Sequence, residues 1–168
     1  MNNLSSFNDL ELMPLTKDNV EILYSLVSEA HVREFLMEGL EMSRAECLDF
    51  IKIAEALRVK IGLGMYLVFR LNQPIGYCGF METNPPSQDV DVVYAFNKES
   101  TGRGFATKIC HTLVTLFRKS NFSGDLTAVV HPKNIFSIKV LEKNGFKNEG
   151  AASGELNHLL KYRYLSNH

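Results

Sequence analysis

Cysteine is scarce in this chain of 168 residues: Cys47, Cys78 and Cys110 stand far apart, with no Cys-x-x-Cys pair. A disulfide framework or a zinc site needs more thiols or closer ones, so the three are expected to be reduced core residues and no metal is expected. Excess charge of one sign is missing too. The 18 Lys and Arg nearly balance the 19 Asp and Glu, for a net charge of −1, and no basic run occurs. That removes the electrostatic footprint of direct nucleic-acid binding. Long hydrophobic runs are absent. The longest, Ile61 to Phe69, is far too short to cross a bilayer, and MNNLSSFNDL at the start has no signal-peptide core. A cytoplasmic protein away from the membrane is therefore expected. Nor is there an internal repeat, a low-complexity stretch or an interdomain linker.

What is present suits one globular domain spanning 1–168. Apolar residues make up 45% and charged residues 22%, and a chain of this length buries a sizeable core. The stretch that organises the rest is TGRGFATKICHTLVTLF, Thr101 to Phe117. Gly102 and Gly104 let the backbone bend and approach a ligand with no Cβ in the way. After them Ala106, Ile109, Cys110, Leu113, Val114 and Phe117 share one face at helical period. The first amides of such a helix lack intrahelical acceptors and sit at the positive end of its dipole, which suits a phosphate or pyrophosphate. Upstream, VDVVYAF (Val90 to Phe96) reads as a buried strand.

Three phosphate-binding patterns compete for this turn. A P-loop requires Gly-Lys-Ser/Thr, which GRGFATK lacks. A dinucleotide fingerprint requires Gly or Ala at its sixth position, where Thr107 stands, and an acid ending the next strand, where Asp125 instead begins it. The third is Arg/Gln-x-x-Gly-x-Gly/Ala, matched by Gly104 and Ala106, with Thr101 in place of Arg or Gln. A second block, His131 to Gly150, describes a short helix: Pro132 and Asn134 near its start, Ile138 and Leu141 inward, and Asn144-Gly145-Phe146 as a Schellman ending with Phe146 against Leu141.

Together the two blocks resemble the GNAT superfamily of N-acetyltransferases. Asn134, Ser137, Leu141, Glu142, Lys143, Gly145 and Phe146 are similar to its second signature, closest to the branch of the Rim-type ribosomal-protein N-terminal acetyltransferases. The rest of the chain follows the same order. LELMPLT (Leu10 to Thr16) alternates like a first strand. Thr16 caps a helix with Val20, Leu23, Tyr24 and Val27 on one face, and His31 to Leu36 forms a second short helix ended by Gly39. Ser43-Arg44-Ala45-Glu46 is a capping box opening a helix to about Val59. A hairpin follows, Gly64 to Leu71 and Ile75 to Met81, with its turn at Asn72-Gln73-Pro74. Asn84 to Ser87 breaks the chain. After the glycine turn come helix 105–120, strand 125–130, helix 134–144, strand 146–150 and a final strand, His158 to Leu165, expected at a sheet edge where it would allow a dimer.

The resemblance implies a mixed α/β fold: a central, mostly antiparallel twisted sheet flanked by helices and splayed between the fourth and fifth strands, where pantetheine inserts. It implies acetyl-CoA as co-substrate and acetyl transfer to a primary amine by direct attack in a ternary complex. By family position, the amides of Gly102, Arg103, Gly104, Phe105, Ala106 and Thr107 hold the pyrophosphate, with the Arg103 side chain adding charge. The amide of Phe96 or Asn97 polarises the thioester carbonyl. Asn134 and Ser137 meet the pantetheine arm, and Ser137 is the candidate acid for the thiolate. Asp91 is the candidate base and Glu82 the second choice, either acting through a water. Thr101 and Lys108 depart from the residues relatives carry there, although backbone geometry needs neither side chain.

Cys78 and Cys110 sit inside a strand and a helix, on apolar faces, which disfavours an acyl-cysteine. His111, His131 and His158 are expected to be structural or exposed, with His31 a candidate for the acceptor cleft, and Tyr94 and Phe96 are read as core residues. For the acceptor, the resemblance to the Rim-type branch favours a protein α-amine, such as a ribosomal-protein or other peptide N-terminus, while small amines, polyamines and aminoglycosides stay open. The acids Glu29, Glu34, Glu38 and Glu41 suit a cationic acceptor or simply a solvated helix face. Two rivals remain: a non-catalytic acyl-CoA-binding module that regulates a partner, and a dinucleotide-binding domain.

Overall fold

The computed structural model describes residues 9–36, 39–83 and 88–165. The polar leader, Glu38 and the Asn84–Ser87 break lie outside the described residues. The elements, in order, are β1 (Leu10–Pro14), a 3₁₀ turn (Lys17–Asn19), α1 (Val20–Val27), α2 (Ala30–Leu36), α3 (Arg44–Ile61), β2 (Met65–Arg70), β3 (Gln73–Glu82), β4 (Val90–Phe96), a 3₁₀ turn (Lys98–Ser100), α4 (Phe105–Lys119), β5 (Leu126–Val130), α5 (Ile135–Lys143), β6 (Phe146–Ala151), a 3₁₀ turn (Gly154–Leu156) and β7 (Leu160–Tyr164). The strands form one seven-stranded sheet in the order β1-β2-β3-β4-β5-β7-β6. Among the described residues, no helix is long and apolar enough to cross a membrane.

Every neighbouring pair is antiparallel except β4 and β5. Those two run parallel and meet only at Val90↔Leu126 and Asp91↔Thr127. Beyond Asp91, β4 keeps β3 on one side and has no β5 partner on the other. The mixed α/β fold, the mostly antiparallel sheet and the opening between the fourth and fifth strands are as expected.

Side-chain alternation divides the molecule into two cores. On one face of the sheet Phe80, Val90, Val92, Phe96 and Tyr162 pack with Phe105, Ile109 and Leu113 of α4 and Leu141 of α5. On the other, Met65, Leu67, Tyr77 and Ala95 pack with Leu23 and Val27 of α1 and Cys47 and Ile51 of α3. Local signals set the helix ends. Ser43 Oγ accepts from the Glu46 amide at 3.2 Å while Glu46 accepts from the Ser43 amide at 2.7 Å, and α3 stops at Gly62, φ +77°. Asn134 Oδ1 accepts from the Ser137 amide at 3.2 Å at the start of α5, and Gly145 takes φ +88° just past its end. Phe146 and Leu141 lie in the same core, as the Schellman ending requires. All three cysteines are free and buried.

Two expectations are corrected here. The final strand is interior: β7 pairs with β5 on one side and β6 on the other, and β6 is the edge. Connectivity decides this, because α5 carries the chain past the vacancy beside β5 before β6 folds back and β7 fills it. The hairpin turn is Leu71-Asn72, at φ +49° and +61°, a two-residue connection whose twist suits the flanking strands. Pro74 lies inside β3 opposite Phe69, where the register shifts, and the irregularity accommodates the missing N–H.

Candidate active site

The glycine turn is an open cradle. Asn97 accepts from the Ser100 amide at 3.1 Å and Thr101 Oγ1 donates to the Lys98 carbonyl at 2.7 Å, so the side chain that replaces Arg or Gln is tied into its own loop. Gly102 and Gly104 adopt φ +73° and +79°, and the space where a Cβ would sit is empty within 4 Å at both. Such backbone is strained for any L side chain. α4 begins at once, so the amides of Phe105, Ala106 and Thr107 are its first-turn donors, directed away from the helix. The first turn of α4 carries no acid, and Arg103 is exposed beside it. Orphan amides, a dipole end and a cation around open space fit a pyrophosphate. The Phe105 side chain is buried against Phe96, centroids 6.5 Å apart, so its ring belongs to the core beneath the turn.

The gap between β4 and β5 is lined differently on each face. The Asn97 amide donates to the Ile75 carbonyl at 2.8 Å, so it is taken by β3. Successive strand amides alternate sides, and the Phe96 amide therefore points away from β3, into the gap. Of these two amides, only that of Asn97 is engaged by β3. Toward α4 and α5, Ser137 Oγ lies 3.1 Å from the Tyr94 hydroxyl, which in turn lies 3.4 Å from the Ser137 carbonyl. Burial pushes the Tyr94 phenol well above its ordinary range. Asn134 spends its side-chain oxygen on the helix cap.

Asp91 lies on the opposite face, with Met81 across from it on β3 and Thr127 across from it on β5. It is the last β4 residue paired to β5. Thr127 Oγ1 donates to its carboxylate. Burial is the main influence on its proton affinity and raises it, while the Thr127 hydrogen bond and the Lys161 charge act the other way. Nearby, Asp89 holds Lys161 at 3.8 Å and Arg163 at 3.6 Å, and Arg163 also binds Glu149 at 2.7 Å and pairs with Asp125.

Glu82 is not brought to this place. Alternation sets it beside Val90, on the α4 face, and it pairs with Lys60 in an exposed ion pair. Asp91 and Glu82 were expected to be alternatives at one site; the pleat separates them, because 82 and 91 fall in different registers. His31 lines a depression of about 560 Å³ with Arg33, Glu34, Gly39 and Lys98, away from Asp91. Glu41 is taken by Arg33 at 2.7 Å.

Sequence reasoning took Tyr94 as a core residue and passed over Thr127, Lys161 and Arg163. Thr127 had a signal, as the lone hydroxyl in the apolar run LTAVV, and so did Lys161 and Arg163, which alternate through LKYRY.

Residues 9–147 match the family described as Acetyltransferase (GNAT) domain. An uncharacterized N-acetyltransferase, p20, from Bacillus licheniformis is 22% identical over 143 residues, 84% of this chain and 80% of that one. The solved RimL ribosomal L7/L12 alpha-N-protein acetyltransferase, in complex with coenzyme A, superposes with a TM-score of 0.80 at 20% identity, covering 98% of each chain. The aminoglycoside acetyltransferase AAC(6')-Ib, solved with paromomycin and acetyl-CoA, superposes at 0.75 with 19% identity and 94% of each chain. At these identities the structural likeness is one of fold.

Proposed function

The chain belongs to the GNAT acetyltransferases, acetyl-CoA-dependent N-acetyltransferases, and from that premise we propose that it acetylates a cationic primary amine, a protein N-terminal α-amine ahead of a small amine, by direct attack in a ternary complex. The observation that carries the proposal is Asp91 at the last rung before β4 and β5 part, on the face opposite Tyr94 and Ser137. A base and a hydroxyl pair then flank the gap from its two sides.

In this proposal the turn from Gly102 to Thr107 binds the pyrophosphate and Asn134 contacts the pantetheine arm. The Phe96 amide faces the carbonyl oxygen as that oxygen gathers charge. Asp91 takes the proton of the attacking amine, directly or through one water, and its burial-raised proton affinity suits that work better than an ordinary solvated carboxylate would. Thr127 holds the carboxylate in place. Cys78 and Cys110 stay out of the reaction: burial pushes both thiols up, that of Cys110 to about 12, so neither supplies a thiolate at neutral pH.

The acceptor class is supported by charge. Asp89, Asp91, Asp125 and Glu149 outnumber Lys147, Lys161 and Arg163 on this open face, which favours an approaching ammonium. A peptide acceptor is further supported by the shared fold with a ribosomal-protein α-N-acetyltransferase, and AAC(6')-Ib keeps small amines in the comparison. The test is an acceptor screen with acetyl-CoA against peptides with free and blocked N-termini, polyamines and aminoglycosides, run on wild type and Asp91→Asn. Turnover of free N-termini that Asp91→Asn abolishes supports the proposal. Acetyl-CoA binding with no acetylation of any amine would instead support the regulatory module.

A further inference from the structure

Along the α4-facing side of β4, Val90, Val92 and Phe96 are buried, while Tyr94 between them is only half-buried. It stands beyond the last rung to β5, Asp91↔Thr127, so its open side is the gap. Its hydroxyl is buried and held by one residue of α5: Ser137 Oγ at 3.1 Å and the Ser137 carbonyl at 3.4 Å. The second distance is long for an O–H···O bond, whose usual separation is about 2.7–2.8 Å. Ser137 Oγ fills a lone pair on the phenol oxygen, and the phenol proton is left weakly engaged and free to turn.

We infer that Tyr94, on the strand, is the residue that hydrogen-bonds and protonates the leaving sulfur of coenzyme A, and that Ser137 is a positioning residue acting through it. This rests on the acetyl-transfer reading above and reverses the roles the sequence suggested, in which Ser137 was the acid and Tyr94 a core residue. As the amine nitrogen bonds to the carbonyl carbon, its proton leaves through Asp91. The C–S bond breaks, the electron pair stays on sulfur, and Tyr94 gives sulfur its proton; water restores the phenol proton when the product leaves. An ordinary thiol and phenol lie near about 8.5 and 10. Burial raises the proton affinity of the Tyr94 phenol, and a thiolate losing its hydration in the same gap is disfavoured by the same cause. The base and the acid thus act from opposite faces of one strand, without competing for space.

The experiment compares Tyr94→Phe and Ser137→Ala with wild type in three readouts: kcat for acetyl transfer, affinity for acetyl-CoA, and the ratio of affinities for coenzyme A and desulfo-coenzyme A. Tyr94→Phe should lower kcat about 10²-fold, within the range of general acid catalysis, leave acetyl-CoA affinity within about threefold and abolish the preference for the sulfur-bearing ligand. Ser137→Ala should cost about tenfold and keep part of that preference, because the phenol remains. The inference is overturned if Tyr94→Phe keeps kcat within about threefold of wild type, if it weakens both ligands equally, or if Ser137→Ala is the more damaged variant. If Tyr94→Phe does not fold, Ser137→Ala decides: a loss approaching 10²-fold, with no remaining sulfur preference, returns the proton to Ser137. Failure of the underlying reading shows separately, as wild type that neither binds acetyl-CoA nor acetylates an amine.

Discussion

Asp91→Asn separates catalysis from folding, and the two effects should run in opposite directions. Removing a positioned base costs about 10² to 10⁴ in rate, or about 2.7–5.4 kcal/mol of barrier at about 1.36 kcal/mol per tenfold. The same change should not weaken the fold at neutral pH. The folded protein holds Asp91's proton more tightly than the unfolded chain does, chiefly because burial disfavours the charged form. For an acid with a raised folded value, the favourable contribution is fully present below the unfolded value, near about 3.9, and is lost as pH rises through the folded one. At pH 7 the ionised carboxylate therefore works against stability. Asn keeps an oxygen for the Thr127 hydroxyl and carries no charge. Urea unfolding at pH 7 should find Asp91→Asn at least as stable as wild type, with the difference closing toward pH 4. In kinetics, wild-type kcat/KM should fall on the acid side with the slope of one proton, and the variant should lack that limb. A variant retaining more than a third of wild-type activity, or one clearly less stable at pH 7 with activity lost in proportion to unfolded protein, would refute the reasoning.

Three further changes probe the same geometry. Thr127→Val removes the hydrogen bond that lowers Asp91's proton affinity, so the acid limb of the wild-type pH profile should move to higher pH while the alkaline side stays put. Gly104→Glu places a bulky anion on a φ of +79° in the cradle; acetyl-CoA at 100 times its dissociation constant should stabilise wild type by about 2.7 kcal/mol and leave the folded variant's Tm unmoved, whereas equal shifts would place the pyrophosphate elsewhere. Glu82→Gln breaks an exposed ion pair with Lys60, worth about 0–1 kcal/mol, and should keep kcat within about twofold; a large loss would mean that the base lies on the α4 face.

Short-range chemistry made much of the molecule legible. The Ser43/Glu46 capping box, the αL glycines 104 and 145, and the apolar stripe of α4 are each written within a few residues, and each set its element close to the expected boundary. The hairpin turn was harder to place, because Asn-Gln-Pro carries stronger turn chemistry than Leu-Asn, yet the strand register put the left-handed pair at Leu71-Asn72. The glycine turn was legible for the same reason as the caps: glycines and a helix start are contiguous, so its shape needs no distant partner. The catalytic candidates behaved differently. Asp91 and Glu82 look alike in the sequence, as acids flanking a loop.

By itself, then, the sequence determined the elements, the glycine turn on α4, the family and the co-substrate, since each depends on residues that are neighbours along the chain. Tertiary structure alone decided the pairings across it. It set β7 inside the sheet and β6 at the edge, assigned the Asn97 amide to Ile75 and turned Phe96 to the gap. It brought Thr127 to Asp91 and Ser137 to Tyr94. Strand register is a long-range property, and a change of one residue moves a side chain to the other face. That parity is why Asp91 faces the proposed acceptor side while Glu82 faces α4.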